Sequence, residues 1–402
     1  MRLILTILTL FLLPLNLLAE NHWNKKSSFG GDARHRASSF VIADKGYIGM
    51  GHVNSAEHVI YKDIWEYDPS TNSWTQKADF GGGLRYQCAA FSIGNIAYMG
   101  TGRNEFDTYE KDFWRYNPLS NTWYPITEFP GEERRGAAGF SINGKGYIGL
   151  GQATSGYTTD FYEYNPETDQ WIQMADFIGL PRTSAVSFTH NGKAYVGTGH
   201  TYSLALKDFY EFTPSSNYWV QKADVGDSLR QDATGFMIND KGYIGTGNNV
   251  DGSVNYKDFY EYDFNQDTWT QIEDFRGASR RYMVSLVINN TAYCGTGTNG
   301  TNFKDFWSYD PTLSNGVASQ NININTYPNP AISQITFTIP ETLLTENVNL
   351  CIYNSNGQKI HDCIIKQTNH TFTKGDFKNG HYYYKISKDS HTLKTGKFIF
   401  IG

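Results

Sequence analysis

Six times along this chain a Gly-x-Gly follows a short apolar run: Gly49/Gly51, Gly100/Gly102, Gly149/Gly151, Gly197/Gly199, Gly245/Gly247 and Gly295/Gly297. Successive copies lie 48 to 51 residues apart. A period near 50 marks an array of supersecondary units, none able to bury its apolar face alone. Each glycine pair is followed by an Asp with two apolar or aromatic residues behind it: Asp63, Asp112, Asp160, Asp208, Asp258 and Asp305. In five copies a Trp closes the unit (Trp74, Trp123, Trp171, Trp219, Trp269), with an aromatic seven residues before it. An Arg opens each unit: Arg34, Arg85, Arg134, Arg182, Arg230 and Arg280.

Four strand-like segments per unit follow from this pattern. They are the segment after the Arg, the apolar run before the glycines, the Asp-aromatic segment and the Trp segment. Turns such as Asp68-Pro69-Ser70-Thr71-Asn72 join the last two with hairpin chemistry. These residues resemble the kelch repeat of β-propellers, over roughly residues 22–311, with glycines split as Gly-x-Gly where the kelch pattern has them adjacent. The sixth copy has no Trp segment, but Trp23-Asn24-Lys25-Lys26 at the N-terminus matches Trp74-Thr75-Gln76-Lys77. That orphan segment is expected to complete the last blade and remove its exposed edge. The expected fold class is all-β: a six-bladed kelch-type β-propeller over 20–311, then a small β-sandwich C-terminal domain.

The first nineteen residues read differently. Arg2 precedes the apolar stretch Leu3 to Leu18, and Ala19 offers a small residue for cleavage. This is the pattern of a secretory signal peptide, 1–19. No later apolar run is long enough to span a membrane, so no integral membrane segment is expected in the mature form. Net charge −6 argues against nucleic acid as a partner. Only Cys88, Cys294, Cys351 and Cys363 are present, too few for a disulfide framework; Cys351 and Cys363 flank a hairpin turn and could bridge.

After Tyr309-Asp310-Pro311 the repeat stops, and residues 312–325 have a linker's polar composition. A second β pattern then runs through Tyr327-Pro328-Asn329-Pro330, an Asn356-Gly357 turn, Gly380-His381-Tyr382-Tyr383-Tyr384-Lys385-Ile386 and Lys397-Phe398-Ile399-Phe400. Residues 326–402 resemble the type A C-terminal sorting domain of the type IX secretion system of Bacteroidetes. The resemblance implies export across the outer membrane, contact with that secretion machinery through 326–402, and a secreted or outer-surface protein.

Function is expected where the copies disagree. The six repeated Arg are read as scaffold, paired either with the Asp that opens the third segment or with the acid five residues after each Trp, since Arg forks suit buried carboxylates. Arg36, Arg135 and Arg281 break the repeat and are the candidate ligand-binding cations. Directly after the second glycine stand His52, Arg103, Gln152, His200, Asn248 and, in the last copy, Thr298; the first five join the candidates. His52 and His200 fall in blades one and four, too few ligands for a metal site, so no metal and no cofactor are assigned. No catalytic residue is assigned either. The reading is a monomeric module that binds a glycan or a surface protein, rather than an enzyme. The alternative is a propeller enzyme acting on a sugar, resembling sialic-acid mutarotases, which needs only a placed acid and Arg. Copper chemistry of the galactose-oxidase kind would need a Cys–Tyr pair with His ligands nearby, for which Cys88 and Cys294 are poorly placed.

Overall fold

In the computed structural model the described residues are 22–53, 59–311, 324–341, 344, 348–354, 358–375, 377–388 and 391–401. The expected signal peptide, all but the last two residues of the expected linker, and the Asn356-Gly357 turn lie outside them. The chain divides after Asp310 into two compact units.

The first unit is a ring of six four-stranded antiparallel sheets. In blade one the order from axis to rim is Ser38–Ile42, Lys45–Gly49, Ile64–Asp68 and Ser73–Lys77. The innermost strands of the six blades touch in cyclic order, and Val284–Ile288 of the last packs beside Ser38–Ile42 of the first. Second strands such as Lys45–Gly49 are buried along nearly their whole length, because each faces a neighbouring blade on both sides. Blade six takes its outer strand from the N-terminus: Trp23–Lys26 pairs antiparallel with Phe306–Tyr309. Trp23 stands opposite Tyr309, the register that puts Trp74 opposite Tyr67 and Trp219 opposite Phe212. The ring centroids of those pairs are 4.8, 4.9 and 4.7 Å apart, the tilted packing aromatic pairs prefer.

In blades one to five the Trp also ties its blade to the one before. The indole N–H of Trp123 donates to the Ala78 carbonyl at 3.3 Å, and that of Trp219 to the Ala175 carbonyl at 3.1 Å. The glycine pair serves the backbone. A Cβ at Gly49 would collide with the Asp63 carbonyl, and Gly51 sits at φ +89°, where an L side chain is strained. The residue between them, Met50, is itself left-handed at φ 59°. Its buried carbonyl accepts from the Arg34 guanidinium at 3.1 Å.

That guanidinium is the centre of the repeat. All six scaffold Arg are buried, and each forks onto the Asp that opens the third strand of its own blade. Arg182, for example, reaches the two Asp208 oxygens at 2.5 and 2.7 Å. The acids five residues after the Trp take the other course: Asp79, Asp224 and Asp274 pair with half-exposed Lys62, Lys207 and Lys257.

The second unit is a sandwich of two sheets. One has the order Asn325–Tyr327, Gln334–Thr338, Asn369–Thr373, and the other Lys359–Ile365, Val348–Tyr353, Gly380–Lys388, His391–Phe400. Their inner faces share one core, with Ile335, Phe337, Leu350, Ile352, Phe398 and Phe400 fully buried or nearly so. Cys351 and Cys363 do not bridge; both are free thiols. Cys351 stands opposite Asp362, and Cys363 opposite Leu350. One residue of offset puts the two sulfurs on opposite faces of the sheet.

A candidate ligand site at the channel mouth

The inner strands begin four residues after each scaffold Arg, and the chain between turns sharply. The second residue after every such Arg is left-handed: Arg36, Gln87, Gly136, Ser184, Asp232 and Tyr282, with φ between 55° and 62°. Left-handed backbone at five non-glycine positions costs energy and persists only where the surroundings enforce it. Here a chain of backbone bonds runs around the axis. Gln87 N–H donates to the Arg36 carbonyl at 3.0 Å, Gly136 to Gln87 and Ser184 to Gly136 at 2.9 Å each, and Tyr282 to Asp232 at 2.9 Å. These bonds join Arg36 through to Ser184 and Asp232 to Tyr282, and the six residues ring one cavity, each blade giving a different side chain. They line a cavity of about 150 Å³ at the mouth of the central channel. Further along the same inner strands the wall is built of small residues, including Ser39, Gly139, Ser187, Gly235 and Ser285, around about 380 Å³. The Ser39, Ser187 and Ser285 hydroxyls donate to carbonyls of the neighbouring blade at 3.0, 3.2 and 2.8 Å.

Of this ring the repeat-breaking residues in the sequence pointed only to Arg36. It reaches the Tyr282 hydroxyl at 2.6 Å and the His52 ring at 3.1 Å, with its guanidinium 4.4 Å from the Tyr282 ring centroid. Burial, and after it the charge of the nearby Asp232 carboxylate, raise the pKa of the Tyr282 hydroxyl. Arg36, Tyr282 and Asp232 thus place a cation, a phenol and a carboxylate side by side along the mouth.

The other sequence candidates surround this ring in a second tier. His52 is buried between the rings of His35 and Tyr86, at 4.3 and 4.2 Å. Arg135 holds the Gln152 side-chain oxygen at 2.8 Å, and Arg281 that of Asn255 at 3.0 Å. Arg36, Arg135 and Arg281 have no ion-pair partner within 4 Å among the described residues, unlike the six scaffold Arg. Arg103 differs, since it pairs with Asp107 of its own loop at 3.1 Å. His200 lies 5.7 Å from the Tyr157 ring; burial lowers its pKa, opposed by Asp232. Asn248 is buried and donates to the Asn249 carbonyl at 2.8 Å.

Five buried polar atoms of this group have no hydrogen-bond partner within the described protein: Arg36 Nε, Gln87 Oε1, His200 Nδ1, Asp232 Oδ1 and Asn248 Oδ1. They are the clearest chemical signal at the mouth, because buried polar groups are nearly always paired. The loops between second and third strands expose apolar side chains, among them Phe106, Tyr202, Leu204, Val250 and Val254.

His35 gives the mouth a pH response. Burial, and after it the Arg36 charge, push its pKa down from 6.5 to about 4, with Arg281 adding and the Asn302 hydrogen bond opposing. His52 and Tyr282 stack against it. The folded-state pKa is lower than the unfolded one, so the unfolded chain binds more protons below pH 6.5. Stability is full above 6.5 and falls as the pH drops toward 4, by about 3 kcal/mol at about 1.36 kcal/mol per unit. A His35→Gln variant is expected to have a flatter unfolding-midpoint profile between pH 6.5 and 4; parallel profiles would sink this account.

Residues 325–401 match the family described as the secretion system C-terminal sorting domain. A tail of this kind directs a chain to secretion or to the outer cell surface. Among solved structures, the chain resembles that of YjhT, with a TM-score of 0.57 and 18% identity over 70% of this chain and 95% of that one. At that identity the likeness speaks for the fold alone, a kelch-type propeller. No curated protein matches the chain. Among the described residues no helix is long and apolar enough to cross a membrane.

Proposed function

We propose that the propeller is a binding module, carried outward by its sorting tail, that holds a carboxylate-bearing sugar at the channel mouth. The observation that supports it is that three unpaired buried polar atoms, Arg36 Nε, Gln87 Oε1 and Asp232 Oδ1, belong to side chains lining one small cavity. Leaving each unpaired costs about 1–3 kcal/mol, so a ligand offering both hydroxyls and a carboxylate recovers much of that. Arg36, with Arg135 and Arg281 nearby, supplies the positive charge. A cavity of about 150 Å³ admits a carboxylate and one edge of a pyranose, not a whole oligosaccharide. The remainder of a glycan would lie across the exposed apolar side chains of these loops between second and third strands, where sugar faces stack on aromatics such as Tyr202.

A second reading draws on this grouping of cation, phenol and carboxylate. Tyr282 between Asp232 and Arg36 could move a proton at a sugar hydroxyl, which is what exchange between anomers requires. The two readings share a site and differ in turnover.

Calorimetric titration with a sialic or uronic acid beside a neutral N-acetylhexosamine tests the first. Selective binding of the acid is expected, weakened about tenfold to a hundredfold in Arg36→Gln, the loss of one charged hydrogen bond. Equal affinity for acidic and neutral sugars, or no change in the variant, would remove the proposal. Proton NMR of anomer exchange separates the second reading: acceleration that disappears in Asp232→Asn would make the protein an enzyme.

A further inference from the structure

In the sorting domain, three side chains outside the propeller converge from two sheets. His361 and Cys363 stand two apart on the strand Lys359–Ile365, so both point to the same face. His370 comes from Asn369–Thr373. The first strand is an edge of the four-stranded sheet and the second an edge of the three-stranded sheet. Residues 366–368 carry the chain from one sheet to the other, so the three side chains meet where the sandwich opens at its side. All three are half-buried, and their ligand atoms lie within 4.8 Å of one another. His361 is fixed from behind by the Phe372 ring, 4.9 Å away.

We propose that His361, Cys363 and His370 form a zinc-type metal site that clips the two sheets of the sorting domain together. Cys363 Sγ and His370 Nε2 are 3.4 Å apart. Tetrahedral zinc with bonds of about 2.3 Å to sulfur and 2.0–2.1 Å to nitrogen separates such ligands by roughly 3.6 Å. That pair is therefore already at coordinating distance, and a small rotation brings in His361. One thiolate and two imidazoles select zinc or a similar borderline-soft cation over calcium or magnesium, which want oxygen. Three protein ligands and partial exposure leave the fourth position to water. The competing account is a plain thiol–imidazole hydrogen bond, which fits the 3.4 Å contact equally but gives His361 no role. Since the ligands span both sheets, bound metal would stabilise the folded tail against the unfolded one. This inference does not depend on what the propeller binds.

Cobalt(II) reports thiolate coordination directly. The chain without residues 1–19, stripped with chelator, is expected to bind one equivalent of cobalt with a sulfur-to-metal charge-transfer band and tetrahedral d–d bands. Zinc should displace it. Cys363→Ser should abolish the charge-transfer band and weaken binding about a hundredfold, and His370→Gln should weaken it similarly. Cys351→Ser, on the opposite face of the sheet, should leave the band intact. Zinc should also raise the melting temperature of the parent tail but not of Cys363→Ser. No charge-transfer band at one equivalent, or a band that survives Cys363→Ser, overturns the proposal.

Discussion

Asp208→Ala is expected to lower the stability of the propeller by about 3–5 kcal/mol, although Asp208 is not among the residues lining the cavity. The physical reason is asymmetric burial within the pair. Arg182 is fully buried while the Asp208 side chain is one-fifth exposed, so the substitution strands a cation rather than an anion. Arg182 retains the Thr198 and Leu180 carbonyls at 3.1 and 2.9 Å, which soften the loss without neutralising the charge. The Tyr210 hydroxyl loses its acceptor as well. By contrast the exposed pair Lys257–Asp274 should be worth less than about 1 kcal/mol, and Asp274→Ala serves as the comparison. Denaturant unfolding of both variants checks the ordering. The double replacement Arg182→Met with Asp208→Leu should recover much of the loss, because an apolar pair leaves no charge behind. An Asp208→Ala variant that unfolds with its parent would show that the forks contribute little to stability.

The same forks explain how much was legible in the sequence. Period, glycines, Asp and Trp recur because every blade solves one packing problem, so the repeat announced the propeller before any coordinates. The choice of acid for each Arg was open from spacing alone, because two carboxylates recur with equal regularity. Only the closing of each blade, which brings the third strand's Asp under the guanidinium, decides between them. The mouth was harder to read. Arg36, Gln87, Gly136, Ser184, Asp232 and Tyr282 share a backbone conformation and no side-chain chemistry. Reading the repeat by similarity discards them, and left-handed backbone at residues such as Gln87 or Tyr282 leaves no compositional trace. A constant offset of two from each Arg was the one signal available. Charge singled out Arg36 alone, while the residue it depends on, Tyr282, is 246 positions away in sequence. The His361, Cys363, His370 cluster was hidden for a related reason: its members lie on two sheets whose pairing no spacing rule determines.

Trp23→Ala should be as damaging as any core substitution in the propeller, about 3–5 kcal/mol. Trp23 has no exposed surface and meets Tyr309, Phe275 and Phe259 at 4.8, 4.9 and 5.1 Å. Trp171, half-buried in blade three, should cost less when truncated in the same way. Cavity formation is the smaller part of the consequence, because Trp23–Lys26 is the only strand holding the outer edge of Phe306–Tyr309 among the described residues. Removing residues 20–30 exposes that edge as a template for pairing with another molecule. The truncated propeller is therefore expected to associate at concentrations where the parent does not, and a synthetic peptide covering residues 20–31 should restore the parent's behaviour. Light scattering with and without the peptide makes the measurement. Ring closure by a strand from the opposite end of the chain also means that blade six cannot finish until the N-terminus is free to fold back. A truncation that stays soluble and melts at the parent temperature would show that the ring is held by its inner strands alone.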